Sequence, residues 1–233
     1  MRAYTLVRRL CPAAAGIAAL AIALPVAADS TMTVALQVKH PEVTARAQTT
    51  VVVDEVIDRR RFVDGVATNG NGTQATPNPG NNNYNSRLIG QLPGDKRGAN
   101  LLVLEGSQTV AGLVGDAVAE ALRRVGYRVV NKGDRDAATA ARVRVEVNRF
   151  WIWSEINPEV KKSRYFNAEI EATVEGNVPP FAAASRVGGD IRARGKRPEK
   201  EVSWIRTGNR GIEDFVKTVA VLLRYPPAAA MRP

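Results

Sequence analysis

Three stretches in the second half of the chain alternate apolar and polar residues with period two. They are RVRVEVN at 142–148, FNAEIEATV at 166–174 and GGDIRARGK at 188–196. This alternation is typical of strands with one face in a core and the other in water. The residues predicted to face the core are Val143, Val145, Val147, Phe166, Ala168, Ile170, Ala172, Val174, Ile191 and Ala193. The sequence therefore predicts a three-stranded β-meander.

Two amphipathic helices are predicted beside the meander. The first runs from a cap at Ser107 to about Val125, where Gly126 provides a left-handed stop. The second runs from 211 to 224. Shorter β-branched or apolar stretches predict further strands at 32–38, 49–57, 101–104 and 127–130. The predicted fold class is α+β, with two helices packed on one face of a largely antiparallel β-sheet.

The remaining segments complete a single-domain organisation. Residues 1–28 are typical of a secretory signal peptide, with a basic start, an apolar stretch and small residues before cleavage near Ala28. Residues 29–63 hold the N-terminal strands of the domain, and the Asn-, Gly- and Pro-rich segment 64–99 is predicted to be a flexible loop. Residues 100–225 form the remainder of the domain, and 226–233 a disordered tail.

The cysteine and histidine content limits the kinds of catalytic or metal-binding site that this chain can form. The only cysteine, Cys11, precedes the expected cleavage point, and the only histidine is His40, expected on a surface loop. Cysteine nucleophiles and thiolate metal sites are thereby disfavoured. A Ser–His–Asp arrangement could use only His40, and there is no second histidine to share a metal, so we expect no catalytic, metal-binding or cofactor-binding residues. Glycosidase-like use of two carboxylates stays open as a less favoured alternative.

The charge balance indicates anionic partners. The chain has a formal charge of +10 from 33 basic and 23 acidic residues, and removal of the three arginines in 1–28 leaves +7 (30 − 23). An exported basic protein favours lipid head groups, lipopolysaccharide or wall polymers, although the charge could equally serve solubility alone. We expect no nucleic-acid partner.

The arginines of the first meander strand admit two interpretations. Arg142 and Arg144 lie on its polar face, and the neighbouring strand offers Glu169 and Glu171. Opposite charges across strands contribute about 0.2–1 kcal/mol for each pair. A charge ladder is therefore preferred over a ligand site.

Three aromatic residues follow that strand and form a candidate contact surface. Trp151 and Trp153 share the parity of Val147 and are expected in the core, with Phe150 facing outward. A β-bulge would reverse these directions, because one inserted residue flips the side-chain parity. Core packing is favoured over a binding platform.

The densest cationic feature is a candidate polyanion-binding patch. Its proposed members are Arg192, Arg194, Lys196, Arg197, Lys161, Lys162 and Arg164. Such residues contact phosphates or other anions without reading sequence. The alternative is a solvated hairpin end next to Glu199 and Glu201.

The order of these features resembles the YajG family of bacterial outer-membrane lipoproteins. The likeness covers roughly residues 50 to 224. Its motifs are the strand and Asp-Arg turn VVVDEVIDRRR, the element Leu88-Ile89-Gly90, the Gly-Tyr helix end DAVAEALRRVGYRVV, the meander and the final helix. Auxiliary lipoproteins of envelope transport systems are similar in layout and are the second choice.

The resemblance implies a non-enzymatic envelope protein with outer-membrane association. One departure concerns the lipid anchor: the family's lipidated cysteine stands at the cleavage point, whereas Cys11 precedes the apolar stretch. We therefore expect a periplasmic or secreted accessory protein that binds another envelope protein or an anionic envelope polymer, with peripheral membrane association as an alternative. The sequence leaves the partner's identity and the oligomeric state open.

Overall fold

The computed structural model describes residues 31–40, 49–61, 63–64, 75–76, 85–92, 101–160, 163–196 and 201–225. The predicted signal peptide, its cleavage point and the predicted tail at 226–233 lie outside these residues. The strands of the main sheet are β1 (Thr31–Val34), β2 (Thr50–Asp58), β5 (Leu88–Gln91), β6 (Leu101–Leu104), β7 (Arg128–Val130), β8 (Ala141–Ile156), β9 (Ser163–Gly176) and β10 (Ser185–Lys196). Two-residue strands β3 (Val63–Asp64) and β4 (Ala75–Thr76) pair separately. The helices are α1 (Val110–Arg124), a 3₁₀ turn (Arg135–Ala138) and α2 (Glu201–Arg224).

Strand β8 organises the sheet. One of its edges is occupied by β9 from Val143 to Ile156, and β9 in turn pairs with β10. The other edge is shared by two strands in series, with β2 beside the first half of β8 and β5 beside Ile152. Strand β7 extends the β2 side, and β6 followed by β1 extends the β5 side. The sheet is mixed, but its longest ladders, β8–β9 and β9–β10, are antiparallel, as the meander predicts.

Both helices pack on one face of this sheet, which confirms the predicted α+β class. Helix α1 lies against β2, β7 and β8, α2 lies against β9 and β10, and the two helices contact each other. Fully buried side chains from both helices and the strands form one core; among the largest are Leu36, Ile89, Leu102, Leu104, Leu122, Phe150, Phe166, Phe181, Trp204 and Phe215. Within the described residues, no helix is long and apolar enough to cross a membrane.

A smaller apolar cluster lies on the opposite face. It comprises Leu88, Leu101, Val103 and Trp151, with Trp153 packed against it. The cause is a bulge in β8, where the register with β9 shifts between Val147 and Arg149. The expected parity is therefore wrong, and the bulge alternative is correct: Phe150 faces the main core and Trp151, only 2% exposed, faces the other side.

The boundaries of the helices differ from those predicted. Thr109, not Ser107, caps α1, because its hydroxyl accepts a hydrogen bond from the Gly112 amide at 3.1 Å. Gly126 has φ of +97°, as a left-handed stop requires. Helix α2 begins ten residues before the predicted start at 211. Gly208 interrupts the apolar stripe there, and small residues give no hydrophobic signal even though they are buried.

The predicted loop 64–99 contains part of the core. Leu88 and Ile89 are fully buried in β5, so a flexible loop does not extend through 88–91. Four residues were too few to show a period within a polar segment. The rest of the predicted loop, except the strand residues 64 and 75–76 and the flanking positions 85–87 and 92, lies outside the described residues.

Candidate functional site on the outer face of the meander

The surface of β8, β9 and β10 that points away from the helices is called the outer face. Its arginines form ion pairs, as the predicted charge ladder requires. Arg142 and Arg144, however, pair with acidic residues of β2 and not with the expected glutamates of β9. Arg142 pairs with Asp54 of β2 at 2.9 Å, and Arg144 pairs with Glu55 at 3.0 Å. A strand next to β8 thus neutralises arginines that the sequence assigned to the glutamates of β9.

Glu169 and Glu171 of β9 bind other arginines. Arg149 contacts Glu169 at 2.6 Å, and Arg186 of β10 contacts Glu171 at 2.7 Å. The hydrogen bond to Glu171 raises the pKa of the Arg186 guanidinium above its usual value. Both glutamates are therefore fixed as charge partners within the sheet.

Glu155, near the end of β8, accepts hydrogen bonds from two neighbouring side chains. Its Oε1 atom accepts a hydrogen bond from the Trp153 indole nitrogen at 3.0 Å and another from the side-chain amide of Asn167 at 3.0 Å. The guanidinium of Arg192 lies 3.7 Å from the other oxygen. These four residues form the Glu155 cluster. The bulge brings them together, because it places Trp153 and Glu155 on the same face as Asn167.

An open groove of about 560 Å³ runs beside the Glu155 cluster. Gly188 forms part of its lining, and a Cβ added there would meet only the Ile170 carbonyl oxygen at 3.6 Å. Asp190 stands beside this gap, directly opposite Glu169. Among the described residues Asp190 has no ion-pair partner. The groove therefore offers one indole, one unpaired carboxylate and room for an incoming side chain.

The cationic residues predicted as one patch lie on two faces. Arg192 and Arg194 lie on the outer face over the Tyr165 ring, with guanidinium carbons 4.1 Å and 5.9 Å from its centroid. They are 57% and 60% exposed, and hydrogen bonding to Tyr165 raises the pKa of Arg194. Arg164 instead lies on the helix side of the sheet and donates to Ser154 at 3.3 Å, because it pairs with Ile156 and Gly195.

The side chains of the other predicted members of the cationic patch lie outside the described residues. Lys196 ends β10, but its side chain lies outside the described residues, as do Lys161, Lys162 and Arg197. Of the candidate aromatic residues, Phe150 is buried in the main core and Trp151 in the opposite cluster. Trp153 is the one that reaches the groove.

A second polar network lies away from the meander, between the helices. The side chain of Glu120 is only 1% exposed. Its Oε1 atom lies 3.0 Å from Nε of Arg124, and its Oε2 atom lies 2.8 Å from Nδ1 of His40. Arg124 also pairs with Glu213 of α2 at 2.9 Å, and this contact raises the pKa of Arg124 and lowers that of Glu213. As predicted, His40 lies on an exposed loop, with its side chain 59% exposed, and its ring contacts Glu120 of α1. No group of three or more metal-binding side chains occurs within the described ranges.

Sequence reasoning did not single out Glu155, Tyr165, Asn167, Gly188 or Asp190 for the groove. Glu155 could not be placed without knowing that β8 contains a bulge. The period of β10 places Asp190 on the polar face of the strand. That Asp190 lies opposite Glu169, which has the same charge, can be known only from the β9–β10 register. The signal that could have identified the site is a glycine on the polar side of an otherwise charged strand.

No protein-family model and no curated protein matches the sequence. Several solved structures are similar at low identity. A DUF330 protein from Xanthomonas campestris is 9% identical, with 83% of this chain and 92% of that chain covered and a TM-score of 0.40. The PelC dodecamer from Paraburkholderia phytofirmans is 10% identical, with coverages of 78% and 92% and a TM-score of 0.33. A minor lipoprotein from Acinetobacter baumannii is 10% identical, with coverages of 58% and 82% and a TM-score of 0.25. At these TM-scores the likenesses carry no argument about function.

Proposed function

We propose that this chain is an exported, non-enzymatic accessory protein of the cell envelope, which binds another envelope component through the groove beside the Glu155 cluster. The observation that carries the proposal is the combination of Trp153, unpaired Asp190 and the Gly188 gap in one open groove. A half-buried indole and a nearby carboxylate suit a partner segment that carries an apolar side chain and a cation.

The neighbouring carboxylates favour binding over catalysis. Glu155, Glu169 and Glu171 each have a guanidinium within 3.7 Å. A glycosidase-like mechanism needs two carboxyl groups that are free to reach the substrate, whereas these three are engaged with arginines of the sheet. The paired-carboxylate hydrolase is thus the less favoured alternative.

Export, periplasmic location and cleavage near Ala28 remain part of the proposal. They rest on the N-terminal pattern of basic start, apolar stretch and small residues. The YajG-like assignment rests on the sequence motifs alone. Sequencing the N-terminus of the mature protein from a fractionated cell tests both cleavage and compartment.

Site-specific photocrosslinking in cells tests the groove. The Cβ of a benzoylphenylalanine placed at position 188 would meet only the Ile170 carbonyl oxygen, at 3.6 Å, and position 188 lines the groove. We expect one envelope component to be captured from position 188 and lost when Trp153→Ala is added. The matched control is position 221, where Val221 is exposed on α2 away from the groove.

Equal capture from positions 188 and 221, or capture insensitive to Trp153→Ala, would contradict the groove as the binding site. Turnover of a wall, lipid or peptide substrate by the purified protein would contradict the non-enzymatic role.

A second candidate is binding of lipopolysaccharide or wall polymer by the basic end of β10. The observation that favours it is the exposed pair Arg192 and Arg194, held over Tyr165 by cation–π contacts. Binding to immobilised lipopolysaccharide should weaken steeply with salt and drop when Arg192, Arg194, Lys196 and Arg197 become Gln. Salt-insensitive binding would favour the protein partner.

A further inference from the structure

The side chain of Arg192 leans away from the unpaired carboxylate of Asp190. The two residues are two positions apart on the outer face of β10, roughly 7 Å, which an arginine side chain can span. Instead, the guanidinium carbon of Arg192 lies 4.1 Å from the centroid of the Tyr165 ring. Tyr165 lies opposite Arg194, two residues further along β10, whereas Asp190 is two residues back. The guanidinium therefore lies on the side remote from Asp190.

Two contacts hold Arg192 in this position. One is the cation–π contact with the Tyr165 ring, and the other joins its Nη2 atom to Oε2 of Glu155 at 3.7 Å. The second contact is the weaker restraint, because 3.7 Å is too long for a hydrogen bond. The other oxygen of Glu155 already accepts two hydrogen bonds. Tyr165 is therefore the residue that decides where the guanidinium lies.

Without the ring, Asp190 is the available partner for Arg192. Asp190 is exposed and has no ion-pair partner in the described part of the chain. Glu169, directly opposite Asp190, already binds Arg149 at 2.6 Å. A cation–π contact at an exposed site and an exposed ion pair are similar in strength, so loss of the first favours the second. An Arg192–Asp190 pair would cancel the free negative charge of the groove.

We propose that Tyr165 is a positioning residue for the groove, whose ring holds Arg192 away from Asp190 and so keeps this carboxylate free for a cation of the bound partner. This role rests on the proposed function of the groove. It assigns to the partner a lysine or arginine side chain, which takes the place beside Asp190 that Arg192 would otherwise occupy.

Carbon-detected nuclear magnetic resonance of the purified protein tests the position of Arg192 without a partner. In the Tyr165→Leu background, Asp190→Asn should shift the Cζ signal of Arg192 several-fold more than it does in the wild-type background, because only there do the two side chains pair. Tyr165→Phe should behave as the wild type, since it keeps the ring over which Arg192 lies. Circular dichroism checks that each variant is folded.

Photocrosslinking from position 188 tests the consequence for binding. Tyr165→Leu should lower the capture of the envelope component at least about threefold, and Tyr165→Phe should retain it. Adding Arg192→Gln to Tyr165→Leu should restore capture, because no cation then competes for Asp190. The matched control is Arg194→Gln added to Tyr165→Leu. It removes a cation from the same strand, but Arg194 is roughly 13 Å from Asp190 along β10, so capture should stay low.

The two measurements separate the positioning role from the proposed function. A wild-type chain that captures nothing from position 188 contradicts the binding groove, whereas the resonance experiment still reports where Tyr165 holds Arg192. The positioning role is overturned if Asp190→Asn shifts the Arg192 signal equally with and without the tyrosine. It is also overturned by capture that Tyr165→Leu leaves intact, or by capture that Arg192→Gln and Arg194→Gln restore equally.

Discussion

At the scale of single residues, Arg60 shows how a motif can be structural. The sequence presents three consecutive arginines after β2, and only Arg60 is withdrawn from solvent, with its side chain 0% exposed. It forms a two-point pair with Asp58, at 2.8 and 2.7 Å, and donates to the carbonyl oxygens of Leu88 and Asn85. A guanidinium suits this position because its planar fork can satisfy several acceptors at once.

Arg60→Ala should lower the free energy of unfolding by about 3 kcal/mol, because it leaves buried carbonyl groups and Asp58 without their donor. Urea denaturation followed by circular dichroism measures the loss. The neighbouring Arg59 is the matched control: it is exposed and lies 3.8 Å from Glu146, so Arg59→Ala should cost less than about 1 kcal/mol. Equal losses for the two variants would show that burial of Arg60 contributes nothing.

At the scale of elements, the long periodic stretches could be predicted and the irregular ones could not. The core-facing residues of β9 and the stripe of α1 follow from period alone. The directions of Phe150 and Trp151 do not, because a single extra residue at the bulge reverses them and leaves no trace in composition. Strand β5 is too short to show a period. The groove could not be predicted either, because it needs both the bulge in β8 and the register of β10.

Helix α2 packs closely against the sheet at Gly211. A Cβ added at Gly211 would lie 2.9 Å from the Cβ of Ala168 on β9. A Cβ cannot rotate away, so the helix itself would have to move outward. Helix α2 is thus held close to β9 by a small residue at the position where the helix was predicted to begin.

Gly211→Ala should destabilise the fold by about 1–3 kcal/mol, although alanine is intrinsically the better helix former by about 1 kcal/mol. Thermal or urea unfolding measures the change. Arg210→Ala, one position earlier and exposed on α2, should be within about 0.5 kcal/mol of wild type. A stabilised Gly211→Ala variant would indicate that α2 does not approach β9 so closely.

At the scale of the whole molecule, Arg124 connects parts of the chain that are distant in sequence. It pairs with Glu120 on α1 and with Glu213 on α2, and it donates to the carbonyl of Lys39 beyond β1. Lys39 and Lys217 also act on Glu213, and all three cations lower its pKa, Arg124 most strongly. The contact between the helices therefore has an electrostatic component that depends on pH.

The sign of that dependence follows from the lowered pKa of Glu213. The pair stabilises the folded state above the ordinary glutamate value of 4.5, and this contribution is lost as pH falls through the lower folded-state pKa. Glu213→Gln should destabilise the protein by roughly 1 kcal/mol at pH 7, and this deficit should be smaller at about pH 3, which lies below the ordinary glutamate value. Urea titrations at both pH values measure the difference. Glu175→Gln, at an exposed position on β9, should show no such pH dependence, and a constant deficit for Glu213→Gln would contradict the pairing.

The hydrogen bonds from Arg60 to the carbonyl oxygens of Asn85 and Leu88 have a consequence for protein engineering. Through its hydrogen bonds, one guanidinium holds Asp58 at the end of β2 close to Asn85 and to Leu88, the first residue of β5. Lengthening a flexible connection between fixed ends costs only about 0.6 kcal/mol for each doubling of its length. The interval between these anchors is therefore a suitable place to graft an epitope or a reporter peptide, and natural variants of this fold should differ in length there more than anywhere in the meander.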